Sequence, residues 1–198
     1  FAERGLITGY GDDYFKIGPV KFVLDGSLGA RTAALKEPYH DKESTKGKKL
    51  YKQNKFNEMC RYAADKDFQI AVHAIGDKAI EMALNGFDYA YENDQTASKN
   101  RPIIVHAQIS NKNLNNEMKN KGIIASIQPI FLKSDWQSIE NRVGKERSKM
   151  SYPWKSYYDK GINLSGSSDA PIEPFNPFLG IYAAVTRQDF DEEPKDGW

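Results

Sequence analysis

Four short apolar runs carry or lead into a side chain that could bind a metal or move a proton. Lys21 lies in Val20-Lys21-Phe22-Val23-Leu24-Asp25-Gly26, His73 in Ile70-Ala71-Val72-His73-Ala74-Ile75-Gly76-Asp77, His106 in Ile103-Ile104-Val105-His106-Ala107-Gln108, and Asp169 follows Ile162-Asn163-Leu164-Ser165-Gly166-Ser167-Ser168. Neutral imidazoles are common ligands of zinc and related ions, and two of them at equivalent places in consecutive segments read better as ligands than either alone. A lysine inside an apolar strand can have a lowered pKa and react with CO₂, giving an anionic carbamate able to bridge metal ions; the plainer reading is a lysine snorkelling from a strand end. Asp169, between Gly166-Ser167-Ser168 and Ala170-Pro171, can serve as ligand and general base, or simply cap a turn. Asp25 and Asp77 adjoin glycines and fit capping better than catalysis. His40, in a charged loop, reads as solvated.

The elements that must position these groups follow from the hydrophobic pattern. Residues 1–18 read as loop, 19–25 as a Val-rich strand, and 26–31 as a Gly-punctuated loop. Phe56, Met59, Cys60, Ala63 and Ala64 recur at helical spacing before a strand at 69–74. Asp77 is the expected N-cap of a helix whose face is Ile80, Ala83, Leu84 and Phe87, and a polar linker at 92–101 leads to a strand at 102–107. Leu114 and Met118 mark a short helix ended by Gly122, Ile123–Ile127 another strand stopped by Pro129, 133–151 a charged loop and helix, and Pro153 the start of an aromatic-rich helix. The last strand is 162–166, and Asn176–Arg187 a final helix with Phe178, Ile181, Tyr182 and Val185 on one face.

Five strands alternating with helices predict an α/β fold with a parallel sheet. The chemistry at the strand ends suggests one site at the mouth of a parallel barrel, where such folds keep their reactive groups. Five strands do not close an eight-stranded barrel, however, and the pattern alone also admits an open doubly wound sheet. Gly26 and Gly29 lack the spacing of a dinucleotide fingerprint.

The chain of 198 residues is 39% hydrophobic and 28% charged, with net charge +1, which points to a folded domain and away from nucleic acid as a partner. No apolar run is long enough to span a bilayer. The single cysteine, Cys60, excludes an internal disulfide framework and fits a reducing, cytoplasmic setting. The start at Phe1-Ala2-Glu3-Arg4 reads as a cut from a longer protein.

Taken in order, several motifs resemble the amidohydrolase superfamily, in the branch of the N-substituted formamide deformylases and YtcJ-like hydrolases. They are Val20 through Leu35 (with Lys21-Phe22-Val23-Leu24-Asp25-Gly26-Ser27), His73-Ala74-Ile75-Gly76-Asp77-Lys78-Ala79, His106-Ala107-Gln108, Ser126-Ile127-Gln128-Pro129, Ser167-Ser168-Asp169-Ala170-Pro171 and Ala184-Val185-Thr186-Arg187. The resemblance implies a partial (β/α)₈ TIM barrel, about strands four to eight, of a metal-dependent hydrolase, in one domain fragment over 1–198. It makes Lys21 the fourth-strand lysine, often carbamylated, His73 and His106 the histidines of the fifth and sixth strands, and Asp169 the aspartate after the eighth. The cofactor implied is a divalent metal, with zinc the expected ion, and Asp169 becomes the catalytic proton shuttle.

The implied reaction is hydrolysis of an amide, formamide or related C–N bond in a small molecule by metal-activated water. The alternatives are a lactonase or phosphoesterase on the same scaffold, or a non-catalytic α/β domain binding a ligand or partner. Three departures from the family stand out. The first-strand His-x-His pair and the β-sandwich are absent, so the metal site of this piece is expected to be incomplete. Val105 also occupies the place of a usual glutamate, removing a carboxylate that could orient His106. A five-stranded piece of barrel is further expected to self-associate through open sheet edges or to leave an apolar patch there.

Overall fold

Short parallel strands and amphipathic helices alternate along the chain in a computed structural model, which describes residues 1–91 and 100–198. The elements are β1 (Val20–Val23), α1 (Gln53–Ala64), β2 (Ile70–Ala74), α2 (Asp77–Ala90), β3 (Ile103–His106), α3 (Lys112–Asn120), β4 (Ile124–Ile127), α4 (Phe131–Val143), α5 (Lys145–Ser148), α6 (Trp154–Asp159), β5 (Asn163–Gly166) and α7 (Pro177–Thr186). Most of the expected linker at 92–101 lies outside the described residues.

All strand pairs are parallel and the order is strictly sequential, β1-β2-β3-β4-β5. This decides between the two architectures. A doubly wound sheet reverses its strand order at a switch point and carries helices on both faces, whereas sequential right-handed crossovers leave every helix on one face, as in a barrel wall. Side-chain alternation agrees: Val72, Ile104 and Ala125 are buried beneath the helices, while Lys21, Val23, Asn163 and Ser165 on the other face are exposed. β1 and β5 form the edges of the described sheet.

The helical periodicities decide which faces are buried. Phe56, Cys60 and Ala63 of α1 and Ile80, Ala83, Leu84 and Phe87 of α2 are all buried, each large side chain adding about 1.5–3 kcal/mol. Phe22 of β1 meets Phe56 edge to face at 5.9 Å. Gly86 lets the two helices close up, because a Cβ there would stand 2.4 Å from the Phe56 ring. Asn111 caps α3 by accepting from the Asn113 and Leu114 N–H groups at 3.0 Å, and Asn176 with Pro177 opens α7.

Two expectations change. Asp77 is the first residue of α2, not its cap; the N-cap is Gly76, and the Asp77 carboxylate accepts the Lys36 N–H at 2.9 Å. The physical reason is tertiary. The Ala34 carbonyl already meets the Lys78 N–H at 3.1 Å at the helix start, and a Cβ at position 76 would lie 1.9 Å from that carbonyl oxygen. The face expected to bury α7 is also open, with Phe178, Ile181 and Val185 at 74%, 56% and 77% exposure and only Ala183 buried. No helix among the described residues is long and apolar enough to cross a membrane.

Candidate active site

His73 lies inside β2 and His106 is the last residue of β3. In register His73 opposes Val105, and His106 opposes Ala74. Simple alternation would therefore send His106 to the helix-covered face with Ile104, away from His73. The backbone breaks that alternation: φ is 76° at His106 and 45° at Ala107, two consecutive left-handed residues without a glycine. The result is an edge-to-face pair of imidazoles with centroids 4.4 Å apart at 74°. Asp169 is also left-handed, with φ 54°, and its Oδ2 stands 4.0 Å from His106 Nε2. Strained backbone of this kind concentrates at functional sites, where surrounding structure holds it.

Hydrogen bonds assign a tautomer to each ring. The Gln128 amide Nε2 donates to the Ser126 carbonyl at 3.1 Å, an oxygen that can only accept, and to Ser167 Oγ at 2.9 Å. Its Oε1 is thereby turned to His106 Nδ1 at 2.7 Å and must accept from it, leaving the His106 Nε2 lone pair facing Asp169. His73 has the opposite arrangement. Its Nε2 faces the Gly26 carbonyl at 3.3 Å and Asp25 Oδ1 at 3.4 Å, both acceptors, so Nε2 carries a proton and Nδ1 is the nitrogen these contacts leave free. Burial first, and then proximity to His73, push the His106 pKa down to about 4 against the opposing pull of Asp169 and Gln128, with Lys21 adding a smaller lowering. His106 is therefore neutral at physiological pH, as a metal ligand must be.

Asp25 is buried and holds the loop after β1 to the turn after β2. It accepts from the Ala34, Ile75 and Gly76 N–H groups at 2.8, 3.1 and 2.9 Å. Lys21 lies on the sheet face that carries His73, in register with Ala71, and its charge is felt at His106. His40 is exposed in its loop.

The sequence motifs contained Gln128 and Ser167 without showing what either touches. Phe131 stacks on His106 at 5.8 Å and 25°. Half-buried Asp135 accepts from Tyr152 Oη and from Gln108 Nε2 at 3.2 Å, a network with no sequence signal of its own. Among the described residues, no three His, Cys, Asp or Glu side chains stand close enough to hold a metal ion by themselves.

Residues 2–196 match the Amidohydrolase family, and the chain belongs to that family. It is 39% identical over 180 residues to a Bacillus subtilis (strain 168) protein named as an amidohydrolase, YtcJ, covering 91% of this chain and 33% of that protein. Two crystal structures, each described as an uncharacterized metal-dependent hydrolase, superpose with a TM-score of 0.83. The one from Pyrococcus furiosus is 36% identical and covers 99% of this chain and 39% of its own; the one from Pyrococcus horikoshii is 35% identical and covers 93% and 36%. The chain thus spans about a third of the length of these relatives, and its sequential parallel sheet is part of a (β/α)₈ barrel.

Proposed function

We propose that this chain supplies part of the active site of a metal-dependent hydrolase acting on an amide, formamide or related C–N bond of a small molecule. The observation that carries the reading is the pair of opposed tautomers: His73 offers Nδ1 and His106 offers Nε2, 4.4 Å apart by ring centroid, with the Asp169 carboxylate beside the second. Two neutral imidazoles and a carboxylate are the donor types a zinc-like ion takes, so the residues present fit such an ion. They form part of a ligand set, which Lys21, carbamylated, and groups outside this chain would complete. The family and the two hydrolase structures support the same assignment.

When bound, the ion would activate a water and polarise the scissile carbonyl. The chain's own residues then have separable tasks. His73 and His106 hold the ion through the nitrogens their hydrogen bonds leave free. Asp169 accepts a proton as the new C–O bond forms and returns it to the nitrogen as the C–N bond breaks. Phe131 and the burial of His106 keep water from that ring. The cytoplasm is the compartment we assign: the one cysteine, Cys60, is buried and its thiol is pushed up to about 12 by burial, which suits a structural thiol in a reducing setting.

The test is elemental analysis of the whole protein together with hydrolysis of amide, formamide, lactone and phosphoester panels. Zinc-dependent turnover of C–N substrates is expected. Turnover of lactones or phosphoesters alone would move the assignment to those chemistries, and a metal-free protein inert on every panel would leave a binding domain.

A further inference from the structure

We infer that Gln128 is the positioning residue for His106: from the neighbouring strand's end it selects the Nδ1-protonated tautomer and aims Nε2 into the site. The inference rests on the reading in which His106 ligates a metal. Gln128 follows β4 and is buried. Its amide is used at both ends. Nε2 spans the Ser126 carbonyl at 3.1 Å and the Ser167 hydroxyl at 2.9 Å, tying β4 to the loop beyond β5, and Oε1 meets His106 Nδ1 at 2.7 Å. A side chain whose amide nitrogen is held by the Ser126 carbonyl, an oxygen that can only accept, cannot turn its amide over without losing that bond and setting oxygen against oxygen. The tautomer of His106 is thus dictated by a carbonyl of β4, two residues before Gln128.

The left-handed backbone at His106 and Ala107 makes such a grip necessary. The strand no longer directs this side chain, so its aim depends on what the ring touches. Phe131 stacks on its face and His73 meets it edge to face, contacts that leave the choice of protonated nitrogen open. Among the described residues, Gln128 is the hydrogen-bond partner of Nδ1. Partners of this kind fix ring orientation and typically change metal affinity by about 10- to 100-fold when removed.

The experiment uses the whole protein labelled with ¹⁵N-histidine, comparing wild type, Gln128→Leu, Gln128→Glu and Ser167→Ala. Ring nitrogen shifts are read on metal-free protein and zinc affinity by competition with a chelator, with His106→Asn assigning the resonance. In wild type, His106 should be the Nδ1–H tautomer. Gln128→Leu should mix the tautomers and weaken zinc about 10- to 100-fold. Gln128→Glu keeps an acceptor for Nδ1–H and should restore the tautomer. Ser167→Ala, which leaves the ring contact alone, should weaken zinc only a few-fold. An Nε2–H tautomer in wild type overturns the inference. So does an unchanged tautomer and zinc affinity in Gln128→Leu or, should that variant fail to fold, a tautomer lost in Gln128→Glu. If wild type binds no zinc yet the tautomer responds to Gln128 as described, the positioning role stands and the metal reading falls.

Discussion

His106 Nε2 and Asp169 Oδ2 face each other at 4.0 Å across the ends of two strands that are not neighbours in the sheet. The separation is too long for a hydrogen bond, so each atom keeps a lone pair for another partner. Asp169 is about one-third exposed on its side chain and reached by solvent, whereas His106 is buried. One group is thus suited to hold, the other to exchange protons.

Asp169→Asn in the whole protein is expected to keep the fold and most of its metal while turnover falls about 10²- to 10⁴-fold, because an amide cannot accept the proton. Steady-state kinetics against pH, with metal analysis of the same preparation, checks this. Full turnover with an unchanged pH profile would remove Asp169 from the mechanism.

Asp25 predicts a stability effect. Asp25→Ala strips the acceptor from three buried backbone N–H groups, at a cost of about 1–3 kcal/mol each, so a loss of about 3 kcal/mol or more is expected. Asp25→Asn, which keeps one acceptor oxygen, should fall between. Denaturant unfolding measures both. An Asp25→Ala protein as stable as wild type would show that these groups find other partners.

Asp135 predicts a pH dependence. Burial raises its pKa, against the lowering by hydrogen bonds from Tyr152 and Gln108. An unfolded aspartate ionises near about 3.9, so the native state holds this proton to higher pH than the unfolded state does. The contribution is fully present below about 3.9 and is lost as pH rises through the native value, above which the half-buried carboxylate is a cost. Asp135→Asn keeps an oxygen to accept from Tyr152 and Gln108 and removes the titration. Its melting temperature relative to wild type should therefore rise from pH 3.5 to pH 7; a difference that stays flat would contradict the assignment.

The outer surface of α7 predicts association. Phe178, Ile181 and Val185, with Phe175 just before the helix, expose 74%, 56%, 77% and 86% of their surfaces. This chain expressed alone is expected to self-associate in light scattering, and Phe178→Glu with Val185→Lys to reduce that association. A stable monomer with or without these changes would show that the face tolerates water.

Much of this molecule was legible in its residues. Four of the strands, β1 to β4, follow from short β-branched runs, and helices α1 and α2 from apolar spacing at 3.6 residues, because local propensity and burial agree there. Lys21, His73, His106 and Asp169 stood out because polar groups ending apolar runs are rare without purpose, and their order carried the family resemblance. What the tertiary structure alone decided was the direction of those side chains. Strand order separated a barrel wall from a doubly wound sheet, since a repeating βα pattern is common to both. Pleat alternation misplaces His106, and only its left-handed backbone returns the ring to His73. Val105 is in register with His73 and has no polar side-chain atom to offer His106; Gln128 has one, from 22 residues further along, itself held by Ser167 another 39 away. Hydrogen bonds between such distant positions depend on where strands are brought side by side, and a single sequence records the donors and acceptors without their pairing.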